Sequence, residues 1–234
     1  MYTSGSTVTT YTNAVGSVNC LYSGSQIYCY AAGAVTSASI YSTSVARVSS
    51  SFSVLAYSNP LASSNPYVYA TTYFNNAIFM GGSINSSSEK NIVYSNGASW
   101  IKSGAGFNGN VTYLLPFNGK LYAAGAMTKD GNNSASMNYV NELASGGTYW
   151  SKTGTNNLPA ACVALTVHNG QLYACGTSGG VGYIYKYNST DNVWVNCVDP
   201  GYTPGTLLDI ESYNYRLYGI ERNASGQYSL VSFN

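Results

Sequence analysis

Eight carboxylates and a single imidazole in 234 residues leave few ways to build a reactive centre. Acid–base cleavage of a glycosidic bond needs two carboxyl groups facing each other across it, roughly 5–10 Å apart. On the segments that read as innermost strands the acids are Asp209 and Glu211, and at i,i+2 they share one face of one strand rather than opposing each other. Such a pair can hold a cation or accept from a sugar hydroxyl, or simply line a solvated channel. His168 has no Asp and nucleophilic Ser arranged around it in a recognisable way, so a hydrolytic triad has no support. Gly104-Ala105-Gly106 lacks the further glycine and helix of a dinucleotide fingerprint, and no P-loop occurs. Lys129-Asp130-Gly131-Asn132-Asn133 is too poor in carboxylates for a tight calcium loop. The expectation is a protein with no cofactor, no metal and no catalytic role.

The five cysteines are the other reactive groups. If a two-residue turn sits at 24–25, directly opposed residues have numbers adding to 49, as those of Cys20 and Cys29 do. Opposed Cα atoms at a non-hydrogen-bonded pair lie about 4.5 Å apart, within reach of a disulfide; the alternative is two small buried hydrophobes. Across a turn at 169–170, Cys175 faces Ala164 and Cys162 is diagonal to it, a less direct candidate for a second bond. Cys197 is then an odd, buried thiol. Asn85, Asn110, Asn132, Asn188 and Asn223 begin Asn-x-Ser/Thr acceptors. A chain this rich in Asn, Ser and Thr produces such triplets by chance, but all except Asn110 fall in loops or turns where a glycan is sterically acceptable.

The elements that position these groups repeat along the chain. Apolar anchors at 27, 78, 121, 172 and 217 each follow a tight turn, with a period of about 43–51 residues, the spacing of propeller blades. Asn118-Gly119 and Asn169-Gly170 supply the two positive-φ residues of a type I′ hairpin, and Gly24-Ser25, Asn75-Asn76 and Asn214-Tyr215 hold the equivalent places. Inner strands precede these turns at 18–22, 67–74, 111–117, 163–168 and 207–213. Second strands end in small residues, as in Gly81-Gly82, Gly125, Gly176 and Gly219, where glycine allows a bend or a close approach of neighbouring backbone. Third strands read at 91–95, 139–144 and 183–187, and fourth strands begin at Trp100, Trp150 and Trp194, with Phe52 as the first unit's counterpart. Three tryptophans at one repeat position are expected to pack unit against unit. The fifth unit stops after a third strand at 228–233, while Tyr2-Thr3-Ser4-Gly5 echoes the Trp-led fourth strands. The expected fold is therefore all-β: one domain over 1–234, a five-bladed β-propeller closed by its own N-terminal strand, leaving no open sheet edge.

A hydrophobic-Tyr-x-small-Gly strand followed by an aromatic strand and a Trp resembles the kelch repeat, and the resemblance runs over nearly the whole chain. Gly81-Gly82 alone keeps that family's double glycine. Copper-radical oxidases of similar architecture need at least two His, and this chain has one.

Charged residues make up 7% of the sequence, net charge +1, while 24 Tyr and abundant Ser, Thr, Asn and Gly supply the polar surface. Nothing here attracts nucleic acid or anionic lipid, and no apolar run approaches a membrane-spanning length. Low charge fits an exterior better than a crowded cytosol. In composition the chain resembles surface proteins and pilus subunits of thermoacidophilic archaea and outer proteins of their viruses. Two function classes follow: a non-enzymatic surface recognition or structural module, of a cell or virion, contacting protein or glycan; or a carbohydrate-active propeller, lectin or glycosidase. The longest loops after second strands, 83–90 and 128–138, are the first candidates for contact.

Overall fold

The computed structural model describes the backbone of residues 16–23, 29–37, 40–41, 45–48, 54–56, 67–84, 90–95 and 100–233, and the side chains among these from residue 67 onward, Trp100 excepted. The described residues form twenty strands and no helix, hence none long and apolar enough to cross a membrane.

Five antiparallel sheets follow one another in chain order. The first holds β1 (Gly16–Ser23), β2 (Cys29–Ser37), β3 (Ile40–Tyr41), β4 (Val45–Val48) and β5 (Val54–Ala56), with β3 appended to β2. The second is β6 (Tyr67–Phe74), β7 (Ala77–Ser83), β8 (Ile92–Ser95) and β9 (Trp100–Lys102). The third is β10 (Val111–Phe117), β11 (Lys120–Gly125), β12 (Val140–Ala144) and β13 (Trp150–Lys152). The fourth is β14 (Cys162–His168), β15 (Gln171–Ser178), β16 (Val181–Asn188) and β17 (Val193–Asn196). The fifth has three strands, β18 (Thr206–Tyr213), β19 (Arg216–Arg222) and β20 (Tyr228–Phe233). The inner strands contact one another from sheet to sheet, β1 with β6, β6 with β10, β10 with β14 and β14 with β18. The expected N-terminal closing strand, and Phe52, lie outside the described residues.

Four hairpins turn as the sequence dictates. Asn75-Asn76, Asn118-Gly119, Asn169-Gly170 and Asn214-Tyr215 all have both central φ angles positive, from 47° to 72°, the type I′ geometry whose twist matches that of the strands. The first hairpin differs. Its register pairs Cys20 with Ala32 and Cys29 with Ser23, and residues 24–28 lie outside the described residues. The direct opposition of Cys20 and Cys29 expected from a two-residue turn is therefore not made. The expectation failed because Gly24-Ser25 was taken for the turn while the strands are joined by five residues.

Each inner strand carries a β-bulge near its start, leaving residues 19, 69, 112, 163 and 208 outside the ladder. Gly33, Gly82, Gly125 and Gly176 stand opposite the residue before the bulge. A Cβ at Gly82 would fall on the carbonyl of Tyr67, and one at Gly125 on the carbonyl of Asn110. The small position of the repeat is thus set by close backbone approach. In the fifth sheet Glu221 takes that place, opposite Leu207; Gly219 pairs with Ile210 and is not its equivalent.

The core consists of seams between sheets. Phe79 and Ile92 meet Phe107, Leu114, Leu121 and Trp150 between the second and third sheets. Tyr122, Ala124 and Val140 meet Cys162, Leu165, Tyr183 and Trp194 between the third and fourth. Ala164, Cys175 and Ile184 meet Leu207, Ile210 and Leu217 between the fourth and fifth. Trp150 and Trp194 are 6% and 3% exposed, so both are packing anchors rather than stacking surfaces for a ligand. Buried asparagines tie strand ends to loops: Asn91 accepts from the Ile84 amide and donates to the Phe107 carbonyl, and Asn138 donates to the Asn156 carbonyl while accepting from the Leu158 amide.

Candidate functional site

On β18 the side chain between the two acids, Ile210, is buried in the seam, whereas Asp209 and Glu211 are exposed on the opposite side of the strand. Glu211 Oε1 accepts from Thr166 Oγ1 of β14 at 3.5 Å. The phenol of Tyr113 on β10 is pushed up to about 12, first by burial and then by the charges of Asp209 and Glu211. The fourth and fifth inner strands thus bring a hydroxyl and a carboxylate into contact, with the phenol of the third under the influence of both acids. Tyr113 lies within electrostatic reach of both acids, and with those acids on one strand the arrangement offers acceptors to a hydroxylated or cationic guest without supplying a carboxylate on each side of a bond. Among the described residues no group of three or more His, Cys, Asp or Glu comes together as a metal site would require.

His168 closes β14, with Nδ1 2.9 Å from Ser212 Oγ of the fifth sheet and Nε2 3.0 Å from Asn169 Nδ2. An amide nitrogen only donates, so Nε2 accepts and the proton sits on Nδ1, which donates to Ser212. The ring meets Tyr173 edge-on at 5.7 Å. It is a half-buried packing residue beside a turn.

Cys162, Cys175 and Cys197 are free thiols. The register places Cys175 opposite Ala164 and Cys162 opposite Gly176, with the bulge between them, so the relation is diagonal as expected but the second disulfide considered from the sequence is not formed. Burial pushes the Cys162 thiol up to about 12 and raises Cys175 well above the usual range. Cys197 is half-buried, not fully buried as anticipated.

Of the two loops singled out, residues 85–89 of the first lie outside the described residues. The second, 128–138, has a rigid frame. Asn108 Oδ1 accepts from the amides of Thr128 and Lys129, at 2.9 and 3.0 Å, and its Nδ2 donates to Thr128 Oγ1. Asp130, 6% exposed, accepts from the Ser134 amide and from its hydroxyl, both at 2.7 Å. The Ser134 hydroxyl above all holds the Asp130 carboxyl below its ordinary range. Backbone bonds from Met137 to Thr128, from Asp130 to Ala135 and from Gly131 to Gly106 complete the frame, while residues 132–136 stand exposed.

Four of the acceptor asparagines are described. Asn132 is exposed at that loop's tip, but the hydroxyl of its Ser134 is committed to Asp130. The Asn188 and Asn223 side-chain oxygens accept from the Thr190 and Ser225 amides, both at 3.0 Å, closing Asx turns. Asn110 is exposed ahead of β10, and Thr112 of its triplet donates to the Cys162 carbonyl at 2.9 Å. Asn85 lies outside the described residues.

The fold has a solved counterpart. The chain superposes on YCF48, in a structure described as bound to a D1 peptide, with a TM-score of 0.61 and 10% sequence identity over 94% of this chain and 67% of that one. The computationally designed Ika4 protein gives a TM-score of 0.48 at 10% identity, over 74% of this chain and 96% of the design. No family model matches the sequence, and no curated protein matches it. YCF48 is a β-propeller, and the consecutive four-stranded antiparallel sheets of this chain share that fold.

Proposed function

We propose that this chain is a non-enzymatic recognition or structural module of an exterior surface, cellular or viral, that contacts a protein or glycan through loops at one end of a five-bladed, kelch-like propeller. The observation that carries this reading is loop 128–138: its frame is fixed by Asn108 and Asp130, and its tip is left to solvent. A loop ordered before its partner arrives spares the entropy of ordering on contact, which is how rigid scaffolds display recognition surfaces. A low-charge surface rich in Tyr and Asn offers area and hydrogen bonds to such a partner. That YCF48 was captured with a peptide supports protein contact as a use of this scaffold. The placement of Asp209 and Glu211 on one strand supports holding over cutting.

The test is attachment of the labelled chain to cells or particles of its source, with residues 129–137 replaced by a two-residue turn. Loss of attachment with unchanged melting supports the proposal. Undiminished attachment removes the loop from it. Glycoside hydrolysis that disappears in Asp209→Asn or Glu211→Gln moves the protein to the carbohydrate-active class.

A further inference from the structure

The end of the propeller opposite loop 128–138 carries a cleft of about 400 Å³ on the seam between the second and third sheets, within the range of sites that hold small ligands. Its floor is apolar. Phe79 and Leu143 are buried there, and Tyr94 lies over Phe79 with ring centroids 5.5 Å apart and planes 25° from parallel. A flat aromatic floor beside polar edges is what the C–H face of a sugar ring packs on.

The polar groups of the cleft have one sign. Lys102, half-buried at the end of β9, lines it, and among the described residues no carboxylate does. Its ammonium makes no ion pair or hydrogen bond among the described residues, whereas Lys120 pairs with Glu142 at 2.6 Å and Lys152 donates to the Thr155 carbonyl. At the mouth, Asn75 Oδ1 is occupied, accepting from Ser145 Oγ at 3.0 Å and so bridging the turns of the two sheets. Among the described residues the Asn75 amide NH₂ makes no hydrogen bond, and Thr148 is a further polar residue of the lining. An ammonium and an amide without acceptors, gathered over aromatic rings, ask for an oxygen-rich anion with an apolar face.

We propose that this cleft binds a sugar acid, a uronate-type unit whose carboxylate meets Lys102 and Asn75 while its ring lies on Tyr94. The site shares no residue with loop 128–138 and does not depend on that loop's role.

The experiment is a calorimetric titration of the full chain with a short oligogalacturonate, against a neutral galacto-oligosaccharide of the same length and a peptide ending in a free carboxylate. The uronate should bind at least about tenfold more tightly than the neutral sugar, and added salt should weaken it. Lys102→Met should remove that preference. Asn75→Asp keeps the acceptor for Ser145 and the turn's positive φ but sets a carboxylate at the mouth, so it should also reject the uronate. Replacing loop 128–138 should leave the titration unchanged. Equal binding of acid and neutral sugars, no binding of either, tighter binding of the peptide, or indifference to Lys102→Met in a variant that melts like the parent would overturn the assignment.

Discussion

The indole Nε1–H of Trp194 donates to the backbone carbonyl of Thr153 at 2.9 Å, across the seam between the third and fourth sheets. Asn156 closes the same seam, accepting from the Trp194 amide and donating to its carbonyl, both at 2.8 Å. Trp194→Phe should cost about 1–2 kcal/mol through the lost bond and the stranded carbonyl. Trp194→Ala should cost about 3–5 kcal/mol because it also empties the seam. Urea unfolding measures both, and an alanine variant within 1 kcal/mol of the parent, by the same scale, would show that the seam is not a stability determinant.

Tyr215 has φ of +62° and is 87% exposed. It occupies a conformation costly for a bulky residue and makes little contact in return, whereas Gly119 and Gly170 hold the same turn position in neighbouring sheets. Tyr215→Gly should therefore stabilise the protein by about 0.5–1 kcal/mol, and Gly119→Tyr should destabilise it by a similar amount. A destabilised Tyr215→Gly variant would mean that the ring packs against something in solution.

Alkali should unfold the protein in a defined window. Burial first, then Asp209 and Glu211, pushes Tyr113 up to about 12, burial takes Cys162 to about 12, and Tyr122 and Tyr183 are raised further, chiefly by burial. The folded state keeps protons that the unfolded chain releases near pH 9 from Cys162 and near pH 10 from the tyrosines. The stabilisation is thus complete below about pH 9 and is lost as pH rises from there towards 12, most of it above pH 10 where the tyrosines contribute. Phenolate absorbance should rise in two stages, the later one coinciding with loss of the folded circular dichroism signal. A single smooth rise for all 24 tyrosines in a chain that stays folded would contradict this.

Closure by the N-terminal strand can be tested at the fifth sheet. Among the described residues β20 pairs only with β19, and the side of that sheet away from the fourth exposes Leu208, Ile220 and Leu230, the last at 72%. If residues 1–10 supply the fourth strand, deleting them should lower the melting temperature by roughly 5 °C or more and promote association through the bared edge. A truncated chain that melts like the parent and remains monodisperse would sink the closed ring.

What the sequence made legible was local. Asn118-Gly119 fixes a turn and, through it, the register of both strands, so in the last four sheets the inner strands were placed to within a residue, whereas the second strands of the fourth and fifth sheets run on past Gly176 and Gly219 to Ser178 and Arg222. The first hairpin was misread because Gly24-Ser25 carries a weaker turn signal, and Ile27 was taken as the anchor two residues before Cys29, where β2 begins. At the axis, Asp209 and Glu211 were placed on one face from their spacing alone. Tyr113 and Thr166 were missed, since they arrive from inner strands 96 and 45 residues earlier and nothing near them in sequence marks the meeting. Likewise loop 128–138 was recognisable by its length, but its brace, Asn108, comes from the link before the same sheet.

The recurrent bulges make this architecture tolerant of length change in some places and intolerant in others. Because of them the buried pairs of the inner strands are three residues apart, as with Val111 and Leu114, Cys162 and Leu165, or Leu207 and Ile210, where a regular ladder would space them by two. Removing residue 112, 163 or 208 would only restore a regular ladder and keep both flanks in their seams, whereas removing a ladder residue such as 115, 166 or 212 would turn every side chain on one flank of the cut to the wrong seam. Lineages carrying this fold should therefore gain and lose residues freely between strands, yet within an inner strand lose one singly only at its bulge.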